Sequence, residues 1–395
     1  HPGRDFAMKT WDLILVGGGL ANGLIAWRLK QRHPTLTILM LESGAAPGGN
    51  HTWSFHQGDL TPAQHSWLAP LVSHRWQGYD VHFPGLTRTL PHDYFTVTSE
   101  RFAQAIAALL QDHLLTNVTV SRITDREVEL SDGRRFTAGA VIDGRGYRPS
   151  PHLTIGYQSF VGQEWRLARP HGLERPILMD ARVAQGAGYR FVYTLPLSAD
   201  RVLIEDTHYI DGAQLDASVA RQHIADYARD QGWQLSELVR EEQGSLPITL
   251  AGDNAAFWQA LRRQPVSGLC AGLFHATTGY SLPLAVRLAD RIANAPSLHQ
   301  AALFDLIARF ADHHWQTQGY FRLLNRMLFL AGAPDQRWRV MQRFYQLDEQ
   351  LIARFYAGQL QATDKLRILM GKPPVPVVGA LKALLHTHHP LRAKK

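Results

Sequence analysis

The first forty residues carry two hydrophobic periods in succession. Residues 11–16 (WDLILV) form a short, mostly apolar run that favours a buried parallel strand. Apolar residues then recur at helical spacing from Leu20 to Leu29, and residues 37–41 form a second apolar run that ends at Glu42. This order predicts a strand, a helix and a second strand, which together make one βαβ unit.

The hydrophobic pattern of the next hundred residues is less regular. Residues 50–95 are rich in His, Trp and Pro and predict irregular structure around short strands. Ser99 is predicted to cap a helix that runs to about residue 115. Further apolar runs predict strands over 118–123, 128–136 and 140–143, with a hairpin turn at Asp132-Gly133.

The remainder of the chain separates into a β-rich and a helical part. Residues 155–210 have mostly β character, a helix is predicted over 215–231, and a further β stretch lies around 244–250. From Leu282 onward the pattern is almost entirely helical, with breaks at 332–334 and 373–374. The predicted fold class is therefore α/β, with a β-rich insertion and a helical carboxyl-terminal region.

A glycine-rich turn joins the first strand to the first helix. A pyrophosphate is bound by backbone N–H groups at a helix N-terminus, and glycine lets the backbone approach it. This position holds the candidate phosphate-binding residues Gly17, Gly18, Gly19, Leu20, Ala21, Asn22 and Gly23. Asn22 departs from the usual G-x-G-x-x-G spacing, while Glu42 ends the second strand, where an acid accepts hydrogen bonds from a ribose. Together these features predict a Rossmann-type dinucleotide site.

Two later glycine motifs favour FAD over NAD as the bound dinucleotide. Gly144 and Arg145 follow the strand at 140–143, and a loop from Gly272 to Gly279 precedes a helix. We expect these four residues to contact the cofactor, although Arg145 and the loop residue His275 are also explained by hydrogen bonds that stabilise loops. The strand–turn–helix at Gly17 has no second strong counterpart, so no dedicated NADPH domain is predicted.

These motifs predict a nucleotide domain that is interrupted by a substrate domain. The predicted FAD-binding domain comprises residues 8–50, 96–150 and 265–300, and the β-rich substrate domain comprises 51–95 and 151–264. Residues 301–395 form the predicted helical, membrane-docking region. Residues 1–7 precede Met8 and are interpreted as a cloning remnant.

Composition narrows the possible partners. The net charge of +7 and pI near 9.6 favour anionic partners, and without a nucleic-acid-binding motif we expect anionic lipid and no nucleic acid. Cys270 is the single cysteine, which excludes an intrachain disulfide and a cysteine-based metal site and suggests a small buried hydrophobe. No metal site is predicted. The sequence contains neither a secretory signal nor a run of 18 apolar residues.

Seven stretches together resemble bacterial lycopene β-cyclases, over essentially the whole chain from Met8. They are LILVGGGLANGLIA (13–26), GGNHTWSFH (48–56), AVIDGRGY (140–147), VGQEWRL (161–167), VLIEDTHY (202–209), GLFHATTGYSLPLA (272–285) and RFYQLDEQLIARFYAG (343–358). The resemblance implies that the linear ends of lycopene are converted to β-rings, through γ-carotene to β-carotene. It also implies a reaction without net electron transfer that needs reduced FAD, with NAD(P)H as the expected external reductant.

The implied cyclisation starts by protonating a terminal C=C, for which a positioned acid is needed. Glu205 and Asp206 are the candidates, and on a strand their side chains face opposite ways, so they cannot share a proton. The resemblance favours Glu205 in the cavity, with Asp206 structural; from the residues alone an exposed acidic patch is the alternative. His51, Trp53 and Trp165 are expected either to line the cavity or to belong to the ordinary core.

A hydrocarbon substrate lies in a membrane, so the enzyme must reach the bilayer. Residues 327–330 and 375–385 are apolar, and basic residues follow at Arg392, Lys394 and Lys395. This pattern suits docking on an anionic lipid surface, although a core helix with a solvated basic tail also explains it. We expect a peripheral enzyme on the cytoplasmic side of the bacterial inner membrane.

Two other functions fit parts of the same pattern. A flavin monooxygenase or a prenyl-chain reductase on this fold would consume NADPH stoichiometrically, unlike a cyclase. A carotenoid-binding protein that uses FAD structurally would bind lycopene without turnover.

Overall fold

The computed structural model describes residues 9–212 and 214–370. In chain order its strands are β1 (Thr10–Val16), β2 (Ile38–Leu41), β3 (Thr52–His56), β4 (His74–Trp76), β5 (Tyr79–Phe83), β6 (Leu86–Leu90), β7 (Tyr94–Thr98), β8 (Leu114–Leu115), β9 (Val120–Thr124), β10 (Glu127–Leu130), β11 (Arg135–Asp143), β12 (Leu153–Leu167), β13 (Ile177–Asp180), β14 (Arg190–Ser198), β15 (Arg201–Ile210) and β16 (Leu235–Gly252). Its α-helices are α1 (Leu20–Arg32), α2 (Pro62–Leu68), α3 (Ser99–Leu110), α4 (Ala217–Asp230), α5 (Asn254–Ala260), α6 (Leu282–Ala293), α7 (Gln300–Thr317), α8 (Gly319–Leu330), α9 (Trp338–Phe344), α10 (Glu349–Ala357) and α11 (Ala362–Leu369).

The predicted βαβ unit forms the centre of a six-stranded sheet. Its strand order is β8-β2-β1-β11-β10-β9, and β1 runs parallel to both β2 and β11. Every residue of β2 and the last four of β1 are buried, as expected for parallel strands covered on both faces. Helices α1, α3, α6 and α7 contribute to the core on one face. Because β1 runs parallel to β2 and β11, the carboxyl ends of the three strands lie side by side.

The predicted hairpin turn at Asp132-Gly133 is confirmed: the turn at 131–134, with Gly133 at φ +93°, divides the run 128–136 into β10 and β11. The predicted beginning and end of α3 are wrong for local reasons. Thr98, and not Ser99, caps α3, since its hydroxyl accepts a hydrogen bond from Arg101 N–H at 3.3 Å. That helix ends at Leu110, before Gln111 at φ +50°.

The β-rich part forms a seven-stranded sheet of order β16-β12-β15-β14-β13-β5-β6. Helix α4 covers one face, where Val161, Ile204 and Ile224 share a core cluster. The opposite face meets the aromatic side chains of α8 to α10. Strand β16 begins at residue 235, well before the predicted stretch. Its first half is exposed and has no apolar alternation that would predict a strand, although it pairs with β12.

The predicted fold class is confirmed, with α-helices following one another from Leu282 to Leu369. The predicted membrane segment 327–330 is partly wrong, since Leu328 and Phe329 are buried in the core that they form with the β-rich sheet. Residues 375–395 lie outside the described part of the chain. Among the described residues no helix combines the length and the apolar character that crossing a bilayer requires.

Candidate cofactor and active site

The glycine turn after β1 forms an open cradle at the start of α1. Gly17 has φ +92°, and a Cβ there would lie 3.0 Å from the carbonyl oxygen of Gly144. Gly19 precedes the first turn of α1, and no side chain caps that turn. Leu20 and Ala21 are buried behind the turn. The cradle therefore fits the phosphates of a dinucleotide, because glycine leaves room and the helix N-terminus offers backbone N–H groups.

Asn22 ties the cradle to two other segments, which explains its place in the fingerprint. Its buried side-chain amide donates to the carbonyl oxygens of Val16 at 3.1 Å and Gly17 at 2.9 Å. Its amide oxygen accepts from the Ser267 hydroxyl at 2.7 Å. A glycine in this position could make none of these bonds. The replacement of the usual third glycine by Asn22 therefore strengthens the turn.

The close helix contact that the third glycine of the motif usually permits is made by Gly23. A Cβ on Gly23 would lie 2.1 Å from Cζ of Phe102 on α3. Helix α1 can approach α3 only because this position lacks a side chain.

Glu42 and Gly144 lie beside the cradle, as the sequence predicts. The Glu42 carboxylate accepts hydrogen bonds from Gly18 N–H at 2.9 Å and Gly44 N–H at 2.5 Å. A Cβ on Gly144 would come within 2.5 Å of the Asn22 amide nitrogen. Both residues are thus in position to adjoin a nucleotide bound at the start of α1.

The other predicted cofactor residues separate into those near the cavity and those away from it. Arg145 forms a salt bridge with Asp143 at 3.0 Å, which is the loop-stabilising alternative. His275 is buried, and its ring bonds the Phe355 carbonyl and the N–H groups of Thr277 and Thr278. Gly272 ends a short 3-10 helix away from the cavity that borders the β-rich sheet. Gly279, at φ +76°, lines that cavity.

A cavity of about 230 Å³ lies between the cradle side of the molecule and the β-rich sheet. Its wall is mostly apolar and aromatic, and the side chains that line it include His51, Trp53, Gln158, Tyr193, Glu205, Thr207, Glu242 and Tyr280, together with Gly279. His51 and Trp53 therefore lie where the sequence analysis placed them. Trp165 takes the other expected place, in the ordinary core: it packs against the α4 core cluster on the other face of β12, because odd-numbered residues of this strand point away from the cavity.

Hydroxyl groups form a connected chain along one wall of the cavity. The Tyr94 hydroxyl lies 2.7 Å from that of Tyr193 and 2.8 Å from that of Tyr280, and Ser54 Oγ lies 3.0 Å from the Tyr193 hydroxyl. Burial raises the pKa of all three tyrosines well above the usual value of 10, so the phenols stay protonated. The wall therefore carries neutral dipoles without fixed charge.

Glu205 on β15 presents its carboxyl group to this cavity. Burial is the main cause that raises its pKa well above the usual 4.5, and the neighbouring carboxylate of Glu242 raises it further, against the opposing charge of Arg240. The raised pKa favours the protonated form of Glu205, which is the form that can donate a proton.

Asp206 faces the opposite side of the sheet, as the alternation of a strand requires. Its fully buried carboxylate accepts from Arg190 Nε, His208 and His223, each at 2.7 Å. Burial alone would raise its pKa, but the bonds from His208 and the charge of Arg190 outweigh burial and lower it. Asp206 thereby anchors α4, which carries His223, to the sheet.

The same three side chains, Asp206, His208 and His223, could ligate a metal, since their ligand atoms lie within 4.8 Å of one another. With Arg190 on the second carboxylate oxygen, their contacts are those of a hydrogen-bonded network. The sequence analysis did not predict this cluster.

Glu242 is the functional candidate that sequence reasoning missed. It lies in β16, is 3% exposed, and lines the cavity beside Glu205. Only the alternation Glu241-Glu242 signalled that one of the two side chains faces inward, and the register with β12 was needed to tell which.

Residues 12–382 match the family model described as "Lycopene cyclase protein". The chain is 60% identical to the lycopene beta-cyclase of Pseudescherichia vulneris, over 97% of this chain and 99% of that protein. It is 58% identical to the lycopene beta-cyclase of Pantoea ananas, over 96% and 99% of the two chains. The chain belongs to the lycopene cyclase family. These matches confirm the resemblance and favour a cyclase over a monooxygenase, a prenyl-chain reductase or a carotenoid-binding protein.

Solved structures share the cyclase fold at much lower identity. Klebsiella pneumoniae HpxO, solved in complex with FAD and uric acid, superimposes with a TM-score of 0.63 at 14% identity and covers 92% of this chain and 97% of its own. This likeness shows that the cyclase has the architecture of Rossmann-type flavoproteins.

Proposed function

We propose that this protein is a lycopene β-cyclase in which Glu205 donates the proton that starts ring closure. The observation that carries the proposal is the carboxyl group of Glu205 at the wall of a largely apolar cavity, where burial raises its pKa well above the usual 4.5. The Glu205 O–H bond breaks as a C–H bond forms at the terminal C=C, which leaves a carbocation on the chain. An internal C=C then closes the ring through a new C–C bond, and loss of a ring proton restores neutrality.

The cavity wall supports this chemistry in two ways. Apolar and aromatic side chains exclude water, which would otherwise capture the cation. The faces of Trp53, Tyr193 and Tyr280 can stabilise a positive charge without reacting with it.

FAD fits the residues that surround the cradle and the cavity. The turn Gly17–Gly19 would hold the pyrophosphate and Glu42 the ribose. Gln158 Oε1 and Thr207 Oγ1 line the cavity and have no hydrogen-bond partner among the described residues, so a polar ring edge would satisfy them. When bound in reduced form, the flavin supplies negative charge close to the developing cation. Helix α6 begins at the cavity wall and favours such charge by its N-terminal dipole.

The decisive experiment compares Glu205→Gln with Glu241→Gln, using lycopene in lipid vesicles and chemically reduced FAD without oxygen. Glu241 lies next to Glu242, but its carboxylate accepts hydrogen bonds from Arg221 and does not line the cavity. Its variant therefore controls for the loss of a carboxylate that is near the site but outside the cavity. We expect Glu205→Gln to lower the cyclisation rate by about 10²–10⁴-fold, as loss of a general acid does, while FAD binding is retained. Full activity of Glu205→Gln would overturn the acid assignment, and absence of cyclised product with the unmodified enzyme would overturn the function.

NAD(P)H is proposed as an external reductant that keeps the flavin reduced. A single nucleotide-binding unit in the described chain supports this role, because it leaves no dedicated domain for a second dinucleotide. Chemically reduced FAD should replace NADPH fully, and less than one NADPH should be oxidised for each ring formed. Stoichiometric oxidation would instead favour a reductase or a monooxygenase.

We further propose that the enzyme docks peripherally on the cytoplasmic face of the inner membrane. Large apolar side chains are exposed at the end of the described chain, where Leu366 is 58%, Leu369 43% and Met370 59% exposed. Lys365 and Arg367 flank them, which suits an anionic lipid surface.

Sedimentation with vesicles of phosphatidylglycerol and phosphatidylcholine tests this docking. Leu366→Asp should weaken vesicle binding, whereas Val219→Asp should not, because Val219 is comparably exposed but lies on α4. Equal binding of the two variants would contradict docking through α11.

A further inference from the structure

Three neighbouring strands place two glutamates on either side of one glycine. In the middle strand β12, Gly162 pairs with Glu205 of β15 on one side and with Glu242 of β16 on the other. Residues that flank a central strand are separated by two strand spacings, roughly 9–10 Å, which is too far for two carboxyl groups to meet unless both side chains lean inward.

Gly162 makes this inward lean possible. A Cβ at this position would lie 2.8 Å from Cγ of Glu205 and 3.2 Å from Cγ of Glu242. Both side chains therefore occupy the space above the glycine, where the carboxylate of Glu242 is close enough to raise the pKa of Glu205. Any larger residue at this position would force them apart.

The hydrogen bonds around Glu242 leave one place for a proton. Its Oε1 atom is buried and has no hydrogen-bond partner among the described residues. Its Oε2 atom lies 3.5 Å from Arg240 Nη1, which stabilises a negative charge on this side chain. A protonated Glu205 can donate a hydrogen bond to this unpartnered oxygen of Glu242, and the proton then remains at the cavity wall.

In the described part of the chain, the other charged and titratable groups around Glu205 and Glu242 add no second positive charge next to the pair. Arg240 also binds Glu164 of β12, and that carboxylate is further paired with Arg201. From β14 the Tyr193 phenol faces Glu205, and His51 lines the cavity from the segment before β3. Among the residues that the structure describes, Arg240 is therefore the fixed positive neighbour of the pair, and it acts on Glu242.

We propose that Glu242 shares the catalytic proton with Glu205 as a positioning residue, and that Gly162 is the spacer that allows the two carboxyl groups to meet. The inference rests on the proposed cyclase function. One proton belongs to the pair in the resting enzyme, and Arg240 keeps the charge on Glu242 so that the acid form of Glu205 faces the substrate. Once Glu205 has donated, two adjacent carboxylates repel each other, and this repulsion favours recovery of a proton from the ring or from solvent.

The test measures the cyclisation rate against pH for Glu242→Gln, Gly162→Ala and the control Glu241→Gln, with reduced FAD and vesicle-bound lycopene. In Glu242→Gln a neutral amide replaces the repelling carboxylate, so Glu205 ionises at lower pH. The alkaline limb of the rate profile should therefore move down by about one pH unit or more. Gly162→Ala should move it in the same direction, and Glu241→Gln should leave it in place.

An infrared readout keeps the proposal testable if a variant loses turnover. A protonated carboxylic acid absorbs separately from carboxylates, and the resting enzyme should show this band near neutral pH. Glu205→Gln should remove the Glu205 part of the band, while Asp59, whose pKa burial raises to about 7, keeps its own part. Glu242→Gln should shift the pH at which the Glu205 part disappears. FAD binding by each variant confirms that the variant is folded. An unchanged alkaline limb or an unchanged band titration in folded Glu242→Gln would overturn the proposal, whereas failure of the unmodified enzyme to cyclise lycopene would overturn the function itself.

Discussion

Gly23→Ala tests whether cofactor binding depends on the close approach of α1 to α3. The added methyl carbon would lie 2.1 Å from Cζ and 2.6 Å from Cε2 of Phe102, well inside van der Waals contact. The Phe102 ring cannot retreat freely. Gly48 packs against its other side so closely that a Cβ there would lie 2.7 Å from the ring, and Trp53 packs edge-on at 5.2 Å between ring centroids. Helix α1 must therefore shift.

The expected cost follows from two opposing effects. Overpacking a close-packed core costs about 1–3 kcal/mol, and the clamped ring places this site at the upper end. Alanine regains about 1 kcal/mol over glycine through its helix propensity. We therefore expect the free energy of unfolding to fall by about 2 kcal/mol.

Urea denaturation of the apoprotein measures this loss, and flavin fluorescence measures FAD affinity. Because a shifted α1 carries the phosphate cradle with it, affinity should fall by about tenfold, or about 1.4 kcal/mol. Phe102→Leu should restore part of both losses in the double variant, since the smaller side chain makes room for the methyl group. Additive losses in the double variant, or an unchanged FAD affinity in Gly23→Ala, would refute the reasoning.

Three further predictions concern residues away from the reacting atoms. Asp206→Asn leaves the buried Arg190 without its counter-charge and should lower the free energy of unfolding by about 3–5 kcal/mol; an unchanged urea midpoint would contradict the anchoring role. Trp165→Leu should keep the turnover rate in the cyclisation assay, because this side chain faces α4; a large loss would place it back in the cavity. Burial lowers the pKa of His275 to about 3, so the unfolded chain takes up a proton below pH 6.5 that the folded chain refuses, and stability is lost as pH falls. Relative to His275→Gln, the unmodified protein should lose about 2 kcal/mol more between pH 7.5 and pH 5 in urea denaturation, and parallel pH curves would refute this.

The cofactor side of the molecule could be predicted because its signals are local. The turn at Gly17, the helix that follows it and Glu42 at the end of β2 lie within one βαβ unit, so spacing along the chain translates directly into position. Asn22 is an exception, since its partner Ser267 is distant in the chain and only the fold brings them together.

The two open alternatives for Trp165 and the error at 327–330 have a shared physical cause. Both are apolar or aromatic, and such side chains suit a cavity wall, a membrane surface and a core equally well. The face of the strand or helix that the tertiary packing buries decides between these places. Phe329 is an example, because its ring packs so closely on Gly156 that a Cβ there would lie 2.5 Å from it.

The sequence by itself determined the class of fold, the phosphate cradle and the opposite orientation of Glu205 and Asp206, because each follows from local periodicity or from residues close in the chain. Only the tertiary structure decided that Glu242, from a strand two positions away in the sheet, stands beside Glu205 and that Gly162 makes room for both. The reason is register: a shift of one residue in the pairing of β12 with β16 would turn Glu242 to the other face, and non-local hydrogen bonds alone set that register.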